Sequence, residues 1–405
     1  MRKISNKPLY DRGKQLQPKT RPLLRTSTIA FLTFLLASIP ALAQGQPFTI
    51  PVILSLSGPA AATGVTENQA LQIYEKLVNR TGGVRGRPLH FDIHDDQSSP
   101  QVSLQLTNAI LASNPPVILG SILTATCESM ATVLIKNGPV HYCFSPGVTT
   151  DPNGYVFASS SSFEANSLAD LNFVLKRKYS RIAYLTATDA SGQQSQRLLV
   201  DNLKRAAYSS ISLVAGEDFA PTDISVAAQI ARIKSGNPEL LFVFAVGGAL
   251  TTVLRAVHDA GLNVPVLTNA VNMNVSQLQQ YTSFLPKELL FLGFPYQGTS
   301  FPNAQVKSAA REFTDAYKAA GITSPSPMAV FSWDPAKLVV YAFRTLGPNA
   351  TAAQLRDFLA HLHGIAGLNG VYDFRDGDRH GLGTGASQMT VVRWYPDQLT
   401  WFTAK

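Results

Sequence analysis

The chain has 405 residues, 45% hydrophobic and 15% charged, and carries a formal net charge of +8 at pH 7. That charge sits at one end: 8 of the 34 Lys and Arg and 1 of the 26 acidic residues fall within residues 1–43, leaving 26 basic and 25 acidic residues beyond. A near-neutral remainder excludes the basic footprint of a nucleic-acid binder, and its length of about 360 residues exceeds what one hydrophobic core usually serves, so two lobes are expected.

In chain order, basic residues from Arg2 to Arg25 precede an apolar run, Ile29 to Ile39, closed by Pro40. Ala41-Leu42-Ala43 follows, a small-x-small site before Gln44. A charged region, a short apolar region and such a site make an export signal, so residues 1–43 are expected to be a cleaved signal peptide. The apolar run is shorter than the roughly 20 residues that cross a bilayer. No Cys follows the cleavage site, so a soluble periplasmic protein is expected rather than a lipid-tethered one. The two cysteines, Cys127 and Cys143, are free to pair in an oxidising compartment, but spacing alone leaves that open.

Phe48 to Leu54 reads as a buried strand, and Ser55-Leu-Ser-Gly-Pro59 as a turn. Ala70, Ile73, Tyr74, Leu77 and Val78 recur at helical spacing across 67–78, and Thr81-Gly82-Gly83 stops that helix. Tyr74 lies on the apolar stripe and is expected to pack. Leu89, Phe91 and Ile93 alternate as a strand, and Ser99-Pro100 opens the next helix. Further strands are expected at 117–119, 140–144, 181–185, 240–244 and 264–267, with helices at about 124–136, through Leu203, and at 249–260. Strands alternating with helices imply an α/β fold of parallel sheets covered on both faces.

No nucleophile elbow, phosphate-binding loop, dinucleotide fingerprint or zincin motif occurs. Asp95-Asp96 would suit a general acid and base. Acids at a helix start are also favoured by the helix dipole alone, and that reading is preferred. No enzyme activity, cofactor or metal is expected. Six segments rich in hydroxyls and glycine follow strands: 55–64, 121–126, 145–150, 186–192, 246–248 and 268–272. Ligands of open α/β sheets bind outside the carboxyl ends of strands, where helix N-termini favour a carboxylate. Six such segments without a catalytic group point to binding.

Leu56-Ser-Gly-Pro-Ala60 with Gly64, Asn79-Arg-Thr-Gly-Gly-Val-Arg-Gly86, and His94-Asp-Asp96 with Ser99-Pro100 resemble the opening of a known family. Val117-Ile-Leu-Gly120, Phe144-Ser-Pro146, Val253-Leu-Arg255, Ala260-Gly261 and Phe331-Ser-Trp-Asp-Pro335 continue the likeness. The family is that of the branched-chain amino acid-type periplasmic solute-binding proteins of ABC importers. The resemblance implies two Rossmann-like lobes joined by three hinge crossings, the type I periplasmic binding fold, with crossings near 158, 294 and 386. Lobe 1 would hold 47–158 and 295–385, and lobe 2 would hold 159–294 and 386–405. A monomer is implied, presenting its ligand to an ABC permease in the inner membrane.

The resemblance also assigns a site. Thr124, with Ala125 beside it, falls where a hydroxyl grips the ligand carboxylate, and Gly147 and Thr149 match the backbone and hydroxyl pair after the next strand. In lobe 2, Ser191 and Val246 stand where aromatics are expected. The acid that pairs with an α-ammonium falls at Asn269 or Ala270. A closed cleft without that acid leaves an ammonium uncompensated, at a cost of several kcal/mol. A small carboxylated ligand lacking an α-amino group, an organic or aromatic acid, is therefore favoured. The alternatives are amino-acid capture for the same transport, a sensor module for a signalling partner, or an enzyme using Asp95 or Asp96. Tyr296 is open to either a cleft or a packing role.

Overall fold

The computed structural model describes residues 46–134, 138–297, 304–383 and 389–404. The expected signal peptide and the crossing near 386 lie outside the described residues. Among those described, no helix is long and apolar enough to cross a membrane.

The first sheet forms early. Strand β1 (Phe48–Leu54) is followed by α1 (Ala61–Arg80), β2 (Leu89–Asp95), α2 (Pro100–Leu111), β3 (Val117–Gly120), α3 (Thr124–Leu134), β4 (Val140–Cys143) and β5 (Val156–Ala158). The strands lie parallel in the order β2-β1-β3-β4-β5. The second sheet follows from α4 (Phe163–Lys176), β6 (Arg181–Ala187), α5 (Ala190–Leu203), β7 (Ser212–Phe219), α6 (Ala227–Ser235), β8 (Leu240–Phe244), α7 (Gly248–Asp259), β9 (Val266–Thr268), α8 (Val275–Gln279) and β10 (Leu289–Gly293). The chain then returns to the first sheet with α9 (Ala304–Ala319), α10 (Val330–Leu346) and α11 (Ala352–Ala360), and adds a hairpin of β11 (His363–Ala366) and β12 (Val371–Asp373). It crosses a third time to end in β13 (Thr390–Tyr395) and β14 (Thr400–Thr403). The second sheet runs β14-β13-β10-β9-β8-β6-β7; β13 pairs antiparallel with both β10 and β14, and the remaining neighbours are parallel. Every residue of β3, β8 and β10 is buried, as sheets covered on both faces require.

Most differences from the sequence reading are at element ends. Helix α1 begins at Ala61, not near residue 67. Its first turn is polar and small, so the apolar period does not mark it. Gly64 lets that turn sit on the preceding loop, since a Cβ there would lie 2.1 Å from the Ser55 carbonyl oxygen. Ser99 caps α2 by accepting the Val102 N–H, as expected, and Gly261, at φ +59°, closes the turn after α7. Helix α4 has no counterpart in the sequence reading. Cys127 and Cys143 are joined in a disulfide that ties α3 to β4, with their Cα atoms 6.0 Å apart. Tyr74 packs edge-on against Trp333 at 4.9 Å.

Candidate functional site

The carboxyl ends of both sheets face one pocket. Each of the six hydroxyl- and glycine-rich segments contributes to its wall: Ala60 and Thr63, Ile122 and Leu123, Ser145 and Pro146, Ser191, Val246, and the run from Thr268 to Val271. The parallel topology explains this convergence, because all these loops leave their strands at the same end.

At the cleft, Thr124 is the first residue of α3, and its Oγ1 lies 2.9 Å from Ser145 Oγ and 2.9 Å from Ser191 Oγ. Ser145 Oγ also accepts the Gly147 N–H at 3.2 Å. Three hydroxyls therefore meet at the positive end of α3, with Ser191 supplied by the second lobe. Gly147 lies immediately behind. A Cβ there would stand 2.5 Å from Thr124 Oγ1, 2.8 Å from the Phe163 ring and 3.0 Å from Gln194 Oε1.

Of the residues assigned by resemblance, Ser191, Val246, Asn269 and Ala270 line the pocket. Thr124 reaches it through its bonds to Ser145 and Ser191, and Gly147 backs the same corner. Ala125 and Thr149 are exposed and stand outside the lining, with the Thr149 N–H donating to Glu128 Oε1 at 2.6 Å. Asn269 Oδ1 accepts from Asn272 Nδ2 at 2.8 Å. Asn272 also donates to the Ala245 carbonyl and to Thr268 Oγ1, and it accepts the Gly247 N–H, so this network holds the two lobe 2 loops together.

Helix α4 supplies what the sequence reading missed. Ser162 caps it by accepting the Ala165 N–H, and Phe163, Asn166, Ser167 and Asp170 fall on one face of the helix, all lining the pocket. The opposite wall is apolar and comes from the second sheet: Phe244, Leu267, Leu292 and Met389. Asp170 is 8% exposed, and its Oδ1 has no hydrogen-bond partner. Burial pushes its carboxyl well above the ordinary carboxylate range. Asn166 Oδ1 is likewise unpartnered. Among the described residues, no Lys, Arg or His lines the pocket.

Asp95 and Asp96 are occupied structurally. Asp95 accepts from the Leu56, Ser57 and Gln97 N–H groups and from Ser57 Oγ. Although burial pushes its carboxyl upward, these bonds outweigh it and hold the group below the ordinary range. Asp96 accepts from Ser55 Oγ, Ser103 Oγ and the Ser98 N–H. The pair thus clamps the loop after β1 onto the start of α2. Tyr296 stacks on Phe294 and meets Phe313 edge-on, which makes it a packing residue. Among the described residues, the His, Cys and acid groups close enough to share a cation are Cys127, His141 and Cys143, and there both sulfurs are in the disulfide.

The chain is similar to known proteins along nearly all of its described length. The periplasmic binding protein family model matches residues 47–398. The Leu/Ile/Val-binding protein homolog 3 of Brucella melitensis is 26% identical over 285 residues, which cover 68% of this chain and 73% of that protein. Two solved structures share the fold. One is an ABC transporter solute-binding protein of Rhodopseudomonas palustris in complex with benzoate (TM-score 0.71, 18% identity, covering 88% of this chain and 95% of that one). The other is a branched-chain amino acid transporter substrate-binding protein of Streptococcus pneumoniae in complex with isoleucine (TM-score 0.70, 18% identity, covering 86% and 95%). The matched span, the two α/β lobes with three crossings, and the pocket at their strand ends agree: this chain belongs to the periplasmic binding protein family, in its branched-chain amino acid type.

Proposed function

We propose that this protein is exported through a cleaved signal, captures a small carboxylated ligand without an α-amino group, and delivers it to an ABC permease. The observation that carries the ligand class is the position of the acid. An α-amino acid holds its ammonium on the carbon next to its carboxylate, so a counter-charge must stand beside the hydroxyl cluster. Asn269 and Ala270, where the resemblance puts that charge, line the pocket and carry none. Asp170 is seven residues along α4 from Phe163, whose ring abuts the hydroxyl corner. At 1.5 Å rise per residue Asp170 stands about 10 Å from Phe163 along the helix axis, two turns on rather than beside that ring. The hydroxyls and the α3 N-terminus suit a carboxylate, and the apolar wall suits a ring or alkyl body. The solved neighbours show this fold holding both an aromatic acid and an amino acid, so the residues of this pocket must decide.

A thermal-shift panel of benzoate, 4-hydroxybenzoate, succinate and leucine tests the reading. An acid present at about 100 times its Kd adds about 2.7 kcal/mol of stability. At least one of the three acids without an amino group is expected to stabilise the protein, and leucine is not. Micromolar binding of leucine would overturn it.

A further inference from the structure

The hydroxyl corner accounts for one end of a ligand. Further along α4 from Phe163, the pocket carries polar atoms that the fold itself leaves unused. Asp170 and Asn166 are four residues apart on α4, hence neighbours on one helix face, and each presents an oxygen with no hydrogen-bond donor. Between them, Ser167 Oγ accepts from Asn202 Nδ2 at 3.0 Å, which leaves its own proton to give. Facing them, Phe244, Leu267 and Leu292 offer only hydrocarbon. Buried polar atoms are normally satisfied, and a carboxyl left without a partner is expensive. An apolar side chain at position 170 would pack against the same wall at no such cost. The fold therefore gains nothing from this acid.

We propose that Asp170 and Asn166 form a second polar subsite, which receives a hydroxyl group at the end of the ligand remote from its carboxylate. The ligand class becomes a hydroxylated organic acid, polar at both ends and apolar between. The subsite rests on the carboxylate reading above. A hydroxyl fits better than an ammonium. Burial favours the neutral carboxyl of Asp170, which then donates one hydrogen bond and accepts another, the same capacities a hydroxyl brings. An ammonium would require Asp170 to ionise beside hydrocarbon, with no donor of the fold to support the charge.

Calorimetric titration of the exported chain with 4-hydroxybenzoate, benzoate and 4-(aminomethyl)benzoate tests this, in the wild type, Asp170→Asn and Asp170→Leu. The wild type is expected to prefer the hydroxylated acid over benzoate by about tenfold, the worth of one buried hydrogen bond. Asp170→Asn, close in shape and still able to donate and accept, keeps the preference, and Asp170→Leu removes it. Equal affinities for the two acids in the wild type would overturn the subsite while leaving the carboxylate reading intact. Tightest binding of the aminomethyl compound, abolished in Asp170→Asn, would replace the hydroxyl by an ion pair and also overturn it. If benzoate and 4-hydroxybenzoate both fail to bind while leucine does, the carboxylate reading falls and takes the subsite with it. Should Asp170→Leu not fold, the wild-type preference and its retention in Asp170→Asn still decide.

Discussion

Thr124 of the first lobe and Ser191 of the second hydrogen-bond directly, Oγ1 to Oγ at 2.9 Å, so one hydroxyl pair joins the two lobes at the pocket. Ser145 completes the group through Thr124. Thr124→Val keeps the side-chain shape and removes the shared hydroxyl. The expected result is about tenfold weaker binding of the best carboxylic acid, the scale of one lost hydrogen bond in a buried site. Calorimetric titration reads the loss, and unchanged affinity would remove Thr124 from the grip.

Gly147 sets how closely the lobes approach. Its backbone is not in the left-handed region, so Gly147→Ala acts by volume alone. The added methyl meets Thr124, Phe163 and Gln194, the last two on α4 and α5 of the second lobe. Overpacking of this kind costs about 1–3 kcal/mol. It is expected to weaken ligand binding and to enlarge the radius of gyration of the liganded protein, measurable by small-angle scattering. A variant that closes and binds like the wild type contradicts this account.

The disulfide closes a loop between Cys127 and Cys143, 16 residues apart. The chain-entropy estimate for a loop of that length is about 3 kcal/mol. Cys127→Ala with Cys143→Ala should lower the urea midpoint accordingly, and the unfolded wild-type protein should show no free thiol. The disulfide also anchors β4 immediately before Ser145, so the double variant should weaken binding as well as the fold.

Asp170 gives a pH dependence with a definite sign. Burial raises its folded-state pKa, so the folded chain holds the proton more tightly than the unfolded chain. The stabilisation is fully present below the unfolded value of about 3.9 and is lost as pH rises toward the folded value. In the ligand-free protein, Asp170→Asn should therefore raise stability at pH 7 by on the order of 1 kcal/mol, and by less at pH 4. Glu67 is also buried with a raised pKa, but it keeps its slope in both proteins, so the difference isolates Asp170. A gain that grows on acidification would contradict the assignment.

The parts of the fold with a strong period were legible in the sequence. The apolar strand 240–244 and the Ser99-Pro100 helix start stand where the residues put them. The six loops at the strand ends were legible as a set, because parallel topology sends them to one place. Helix α4 was not. Its small and polar residues, Ala165, Ser167 and Ala169, are buried, which weakens the contrast between faces that a period needs. Asp170 was missed with it, although among the described residues no other acid lines the pocket. The resemblance places an acid at Asn269 or Ala270, and it carries no information about Asp170, which stands on a different element.

The hydroxyl group of three has a thermodynamic consequence. Thr124, Ser145 and Ser191 already satisfy one another, so a carboxylate entering the corner exchanges hydrogen bonds rather than adding them. That end then fixes orientation, and its net contribution stays on the scale of about one hydrogen bond. Most of the affinity must arise where Phe244, Leu267, Leu292 and Met389 cover hydrocarbon, and association should carry a negative heat-capacity change that scales with the apolar length of the ligand.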